Sequence, residues 1–291
     1  MISQFKHFFI IFTGNLKYIS MNDITIMVGE EEVPAIGLGT WLLRGNSCIN
    51  TVKSAVSLGY RLIDTAQDYD NEREVGEGIQ RAEALRNNIF LITKLNPANF
   101  AYKDTIGTTK ESCHKLSADY IDLILLHWPN TEISLEETLN ALAQLQKEGL
   151  IKHIGLSNFP PSLVDEAIKY TEIFCNQVEF HPYLVRQNLL DHAIMNDYLL
   201  MAYSPVAKGR LMEDSFLRSI AREHGKSPAQ VSLRWLVQEG IVPVAKASNL
   251  EHLEENTDIF DFSLSDEEMA AIRALDRGLH LDPVSDTADE E

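Results

Sequence analysis

From residue 36 onward, eight short apolar runs of strand type alternate with amphipathic stretches of helical period, and this alternation restricts the fold more than any other feature. The strand-type runs are 36–39, 60–64, 89–94, 121–126, 153–157, 174–179, 199–203 and 242–244. Helical patterns fill 47–58, 72–84, 105–116, 135–148, 163–170, 189–196 and 228–238. No strand-only or helix-only block interrupts the series, and no shift in composition marks a linker. Eight βα units in about 250 residues predict an α/β chain closed into a (β/α)8 TIM barrel. An open doubly wound sheet permits the same alternation. Against it, Gly37-Leu38-Gly39 lacks a third glycine and runs into Thr40-Trp41 instead of a helix. Ahead of the series, 25–28 and 32–35 flank Gly29 as an N-terminal β-hairpin. Further helices are expected at 216–224 and at 265–275, the latter in a short C-terminal extension.

The two ends read differently from the middle. Phe8 to Phe12 form an apolar run behind Lys6, too short for a secretory signal and with no small-residue cleavage site after it. Residues 1–20 are therefore expected outside the core, with Met21 as a candidate start, 21–280 as the barrel, and 281–291 as an acidic flexible tail. That tail holds Asp282, Asp286, Asp289, Glu290 and Glu291. The whole chain carries 43 acidic against 25 basic side chains, a net charge of −18, and so repels nucleic acid and anionic membrane. An anionic cofactor can bind only where a few lysines and helix N-termini override that background. Cys48, Cys113 and Cys175 are far apart and form no CxxC pair, which argues against a metal cage or disulfide framework and for a reducing cytoplasm.

In a barrel of this kind the working face is the C-terminal end of the strands. The sequence places Asp64 at the end of the second strand with Tyr69 in the loop beyond, Lys94 at the end of the third and His127 at the end of the fourth. Ser157 and Asn158 end the fifth, Gln177 lies in the sixth and Tyr203 ends the seventh. Taken singly, each has an ordinary structural reading: a capping Asp, an exposed strand-tip Lys, a satisfied His, a core Tyr. Lys94 alone also suits a Schiff-base lyase. Together they read as a proton donor with its supporting groups. A tyrosine phenol has an unperturbed pKa near about 10. A neighbouring ammonium stabilises its anion, and a buried aspartate keeps that ammonium charged. A histidine supplies a second hydrogen bond that aims a substrate oxygen at the phenol.

The string from Asp64-Thr65-Ala66-Gln67-Asp68-Tyr69 through Asp70-Asn71-Glu72, with Val75-Gly76 after it, resembles the aldo-keto reductase signature. Thr93-Lys94, Leu126-His127-Trp128-Pro129, Ile154-Gly155-Leu156-Ser157-Asn158-Phe159, Asn176-Gln177 and Ala202-Tyr203-Ser204-Pro205 follow in order, then Lys246 and Glu255-Asn256. The likeness spans about residues 22 to 277 and is strongest to the bacterial 2,5-diketo-D-gluconate reductases. It implies Tyr69 as general acid, Lys94 and Asp64 as its modulators, and His127 as the orienting donor. Trp41 and Trp128 would wall the substrate pocket beside Tyr69 and His127. NADPH, with NADH as a second option, would meet Gly39, Thr40 and Trp41, have its carboxamide held by Ser157, Asn158 and Gln177, and stack on Tyr203. Ser204, Pro205, Gly209 and Leu211 would cover the pyrophosphate. Lys246, Ser248 and His252 would meet the 2'-phosphate region, with Glu255 and Asn256 at the adenine.

Two departures from the family pattern stand out. His252 occupies a place where the family commonly has arginine, and a neutral imidazole offers one donor where a guanidinium offers a fork, so weakened preference for NADPH is expected. Asp68 sets a carboxylate directly before the implied acid. The short connection 129–134 and the short chain after Leu275 imply an open mouth, suited to small or polar carbonyls such as methylglyoxal or 2,5-diketo-D-gluconate. The resemblance further implies a monomer. A cofactor-binding protein of the same fold without turnover remains the non-enzymatic alternative.

Overall fold

The computed structural model describes residues 24–282, together with the backbone of 10–12. Eight parallel strands close a barrel: β4 (Gly37–Gly39), β5 (Leu62–Asp64), β6 (Phe90–Leu95), β7 (Ile121–Leu126), β8 (Ile151–Ser157), β9 (Cys175–Glu179), β10 (Leu199–Tyr203) and β11 (Val242–Lys246). They follow chain order around the ring, which shuts where Val244 of β11 pairs with Gly37 of β4. The expected TIM barrel is present, with each predicted strand in place.

Helices return the chain from strand to strand: α1 (Gly45–Ser57), α2 (Glu72–Arg81), α3 (Tyr102–Lys115), α4 (Leu135–Lys147), α5 (Pro161–Ile168), α6 (Gln187–Asn196), α7 (Ser215–His224), α8 (Pro228–Gln238), α9 (Leu250–Thr257) and α10 (Asp266–Arg273). Local chemistry sets several of their ends. Ser227 and Gln230 form a capping box ahead of α8, whose first residue is a proline, and Ser265 with Glu268 does the same for α10. Helix α9, which follows the eighth barrel strand, has no counterpart among the predicted helical stretches. It buries only Leu253 and Asn256, so its apolar period is too thin to see in the sequence. None of the described helices is long and apolar enough to cross a membrane.

The predicted hairpin forms from β2 (Ile24–Val28) and β3 (Glu31–Pro34), with Thr25 opposite Pro34. Ile24, Ile26 and Val33 are buried in one cluster with Leu62, Phe90, Ile92, Leu123 and Leu125, side chains from the inner face of the barrel. The hairpin thus closes the N-terminal end of the barrel with apolar side chains.

Both ends carry contacts that the sequence did not announce. Residues 10–12, assigned to an extension outside the fold, form β1 (Ile10–Phe12), antiparallel to β2 with Ile10 opposite Ile26. The physical reason is that the outer edge of β2 offers unpaired backbone N–H and C=O groups to any extended segment within reach. At the other end, where a flexible tail was expected to begin, the N–H groups of Leu281 and Asp282 donate to the Glu179 carboxylate at 2.9 and 3.2 Å. Lys208 Nζ donates to the Leu281 carbonyl at 3.0 Å. Met21 and the remaining acidic positions Asp286, Asp289, Glu290 and Glu291 lie outside the described residues.

Candidate active site

Period two along the strands decides which side chains face the inside of the barrel. Leu62 and Asp64 share one face of β5, and Phe90, Ile92 and Lys94 share one face of β6. On β7, Leu123 and Leu125 lead to His127. The apolar members of these series pack in the inner core, and the polar members, which come last, line a cavity of about 570 Å³. The same parity brings Ser157 of β8, Gln177 of β9, Tyr203 of β10 and Lys246 of β11 to that cavity. Close packing supports this layer from below: a Cβ on Gly155 would stand 2.7 Å from the Leu125 side chain and 2.8 Å from the Cys175 carbonyl oxygen.

Tyr69 arrives by a different route, on a 3-10 turn (Gln67–Tyr69) between β5 and α2. Asp70 ends this turn in the left-handed region at φ 52°, a conformation aspartate tolerates. Side chains fasten the turn on both sides. Thr65 donates to Asn71 at 2.6 Å, Asn71 donates to the Thr40 and Leu43 carbonyls, and Gln67 Oε1 accepts from the Asn96 backbone N–H at 3.0 Å.

So held, the phenol meets the lysine. Lys94 Nζ donates to Asp64 Oδ1 at 2.5 Å, to the Thr65 carbonyl at 3.1 Å and to Tyr69 Oη at 3.4 Å. Gln177 Nε2 donates to the other Asp64 oxygen at 2.9 Å. Burial opposes the charge on Lys94, which is 1% exposed, but Asp64 and then Tyr69 outweigh it and hold the ammonium above the usual lysine range. Burial likewise holds the Tyr69 phenol above its ordinary value, with Lys94 pulling the other way. From the sequence, the ammonium is expected to ease ionisation. It does push in that direction, but taking a phenol out of water is the larger effect.

His127 stands edge-on to Tyr69, with ring centroids 5.7 Å apart. Its Nδ1 lies 2.9 Å from Asp68 Oδ2, and Asn96 Nδ2 donates to the other Asp68 oxygen. The hydrogen bond with His127 first, and Lys94 more weakly, hold Asp68 below the usual carboxylate range. Burial is the main reason that His127 lies below the usual imidazole range, with Asp68 opposing it.

The opposite wall is amide and aromatic. Asn158, at φ 63°, donates through Nδ2 to Ser157 Oγ at 3.0 Å and to the His127 carbonyl at 3.3 Å, and its Oδ1 accepts from Tyr203 Oη at 2.9 Å. Beyond Tyr203, Ser204, Pro205, Val206, Lys208 and Gly209 border the cavity, and Lys208 Nζ sits 5.5 Å over the Trp41 ring. Ala207, Lys208 and Gly209 all have positive φ, which bends this segment sharply. A flat aromatic wall, an amide and hydroxyl cluster beside it, and two lysines farther along make a donor set that fits a nicotinamide dinucleotide.

Of the residues singled out in the sequence, Gly39, Trp41, Asp64, Tyr69, Lys94, His127, Trp128, Ser157, Asn158, Gln177, Tyr203, Ser204, Pro205, Gly209 and Lys246 line the cavity together. Others do not. Thr40 is buried with its hydroxyl committed to the Asp64 carbonyl at 2.9 Å, and Leu211 is fully buried. Asn256 is buried against the Tyr60 hydroxyl, and the Glu255 carbonyl accepts from Gln230. Ser248 and His252 are exposed around the start of α9, outside the cavity lining. Sequence reasoning left open where Asp68 points; the structure turns it into the cavity. Asp282 also lines it, and nothing in the tail's composition signalled that.

A family model, that of the aldo/keto reductases, matches residues 35–277. The chain belongs to this family. It is similar to a glyoxal reductase of Bacillus subtilis (strain 168), 39% identical over 92% of this chain and 98% of the relative. It is also similar to methylglyoxal reductase DkgB of Escherichia coli O157:H7, 39% identical over 84% and 93%. Among solved structures, a putative 2,5-diketo-D-gluconic acid reductase B superposes with a TM-score of 0.88 at 38% identity, over 92% of this chain and 96% of that one. The aldo-keto reductase AKR2E5, complexed with NADPH, gives 0.81 at 30% identity over 86% of each chain.

Proposed function

We propose that the protein reduces small, uncharged aldehydes and α-dicarbonyl compounds to alcohols with NADPH, and that Tyr69 is the proton donor. The observation that carries this reading is the buried chain Asp64–Lys94–Tyr69 opening beside His127 onto one cavity. A bound reduced nicotinamide supplies the hydride. Tyr203 offers its ring as a flat wall, and Ser157, Asn158 and Gln177 hold the carboxamide with the donor and acceptor capacity left beside the Asn158–Ser157 and Gln177–Asp64 bonds. Tyr69 gives its proton to the carbonyl oxygen as charge grows there. Its raised pKa keeps that proton in place until then, and Lys94 stabilises the phenolate that remains. Trp41 and Trp128 wall the carbonyl compound.

Substrate charge follows from how the charges around Tyr69 pair. With Lys94 paired to Asp64 and any charge on His127 paired to Asp68, the groups around Tyr69 offer no unpaired cation to a carboxylated carbonyl such as 2,5-diketo-D-gluconate and leave methylglyoxal and glyoxal unopposed. The names of the two bacterial relatives agree with that choice. At the far end, Lys246 and the N-terminus of α9, capped by Asn249, attract the 2'-phosphate, while His252 in place of arginine weakens the preference over NADH. We place the protein in the reducing cytoplasm as a monomer; Cys48, Cys113 and Cys175 are buried free thiols.

A Schiff-base lyase at Lys94 is disfavoured because its nitrogen is buried, charged and committed to three acceptors. The test is direct. Purified protein mixed with NADPH and methylglyoxal should consume the reduced nicotinamide absorbance, and do so faster than with a keto acid of similar size. Absence of consumption with every aldehyde tried would sink the reading.

A further inference from the structure

We propose that Asp68 is a positioning residue that dictates which nitrogen of His127 carries the proton, so that His127 donates to the substrate oxygen only as an imidazolium. This rests on the reductase reading above and adds to it a pH control built from one side chain.

The geometry leaves little choice of tautomer. An ionised carboxylate only accepts hydrogen bonds, so a ring nitrogen 2.9 Å from Asp68 Oδ2 bears a hydrogen. That nitrogen is Nδ1. A neutral imidazole has a single N–H, so once Asp68 claims it, Nε2 presents a lone pair. Among the described residues Nε2 has no hydrogen-bond partner, and the ring borders the cavity. A lone pair facing a carbonyl oxygen repels it. Nε2 becomes a donor only when the ring takes a second proton, and Asp68 is then the counter-charge.

Asp68 is itself held in place. Asn96 donates to its other oxygen, and the Asn96 backbone N–H is tied to Gln67 on the same turn as Asp68 and Tyr69. The groups facing His127 are few. From β5 and β6 come Asp64 and Lys94, which neutralise each other at 2.5 Å; the turn contributes Asp68 and the Tyr69 phenol; the ring's own strand end contributes only the Trp128 indole. Asp68 is thus the one carboxylate in direct contact with the ring among the described residues. Burial and Lys94 lower the pKa of His127 and Asp68 raises it, so the imidazolium population is full at acid pH and lost as pH rises.

The carbonyl oxygen accepts hydrogen bonds from Tyr69 O–H and from Nε2–H of the imidazolium. As the carbonyl carbon gains two electrons and a hydrogen from the reduced nicotinamide, the C=O π pair moves to oxygen, which takes the Tyr69 proton. The imidazolium keeps both of its protons, and Lys94 stabilises the phenolate until solvent reprotonates it.

Two readouts on the full-length protein test this. In protein labelled with nitrogen-15 at histidine, long-range proton–nitrogen spectra should show neutral His127 as the Nδ1–H tautomer. Asp68→Leu should shift it toward Nε2–H. In methylglyoxal reduction, wild-type kcat/KM should fall by about tenfold per pH unit above the His127 titration. Asp68→Leu should flatten that limb, because the freed neutral ring can donate from Nε2. Asp68→Asn, which keeps the size and allows either tautomer, should flatten it as well and guards against loss of folding in the leucine variant. An Nε2–H tautomer in the wild type, or coincident pH profiles in all three proteins, overturns the proposal. If the wild type consumes no NADPH with any carbonyl yet shows the Nδ1–H tautomer and its loss in Asp68→Leu, the reductase reading fails while the control of the proton by Asp68 stands.

Discussion

The two ends of the barrel interior are built on the same strands with the same side-chain period, yet they are opposite in chemistry. At the N-terminal end, Ile24, Ile26 and Val33 of the hairpin meet Leu62, Phe90 and Ile92, and contacts of this kind demand matching volume but no bonding direction. Two residues farther along β5 and β6 the same inner face carries Asp64 and Lys94, whose every hydrogen bond has a named partner. Apolar packing is non-directional, whereas a buried ion pair is tolerable only when geometry and partners are all in place. The floor therefore reads as a stability element and the mouth as a chemical one. Substitutions at either end should separate the two.

The largest expected effect is at the mouth. Tyr69→Phe removes the proposed proton and nothing else of size, so turnover should fall by about a hundred- to ten-thousandfold with cofactor affinity and unfolding midpoint nearly unchanged. Stopped-flow turnover and equilibrium cofactor titration would check both halves, and retained turnover would contradict the role. At the floor, Ile26→Ala should do the reverse. Ile26 is fully buried, and its loss should cost about 2–5 kcal/mol of stability in denaturant titration while leaving kcat per folded molecule near wild type. A proportionate loss of kcat would mean that the floor and the mouth are mechanically coupled. The smallest effect sits outside both, at the rim. His252→Arg should raise the NADPH-to-NADH ratio of kcat/KM by about tenfold, as a guanidinium fork adds one charged contact to a phosphate. Steady-state kinetics with the two cofactors measures it, and an unchanged ratio would remove His252 from the phosphate site.

Much of this was legible in the residues. The barrel could be read because buried parallel strands give continuous apolar runs and their return helices give a second period, both visible without any contact being known. The placement of Asp64, Lys94 and His127 could be read because a strand end in a barrel is a place as well as a sequence position, and Tyr69 because the motif that begins at Asp64 carries it into the loop beyond. The residues expected around a cofactor came together less evenly. Thr40 and Asn256 sit at expected positions but turn their polar atoms to Asp64 and Tyr60, since a short polar side chain near a site is as readily claimed by a neighbouring backbone or hydroxyl. Helix α9 and the β1 pairing escaped because one has too few apolar residues and the other depends on an edge that only the folded hairpin presents.

By itself the sequence determined the alternation of barrel strands with their helices, the closure into a barrel and most of the groups at its mouth, since these follow from periodicity and from residue type at strand ends. Only the tertiary structure decided which of those groups touch: that Asp68 takes His127 Nδ1, that Gln177 shares Asp64 with Lys94, and that Glu179 holds Leu281 and Asp282, the latter in the cavity lining. Those partners lie up to 113 residues apart, and a hydrogen bond is set by distance and direction in space, which no local pattern along the chain encodes.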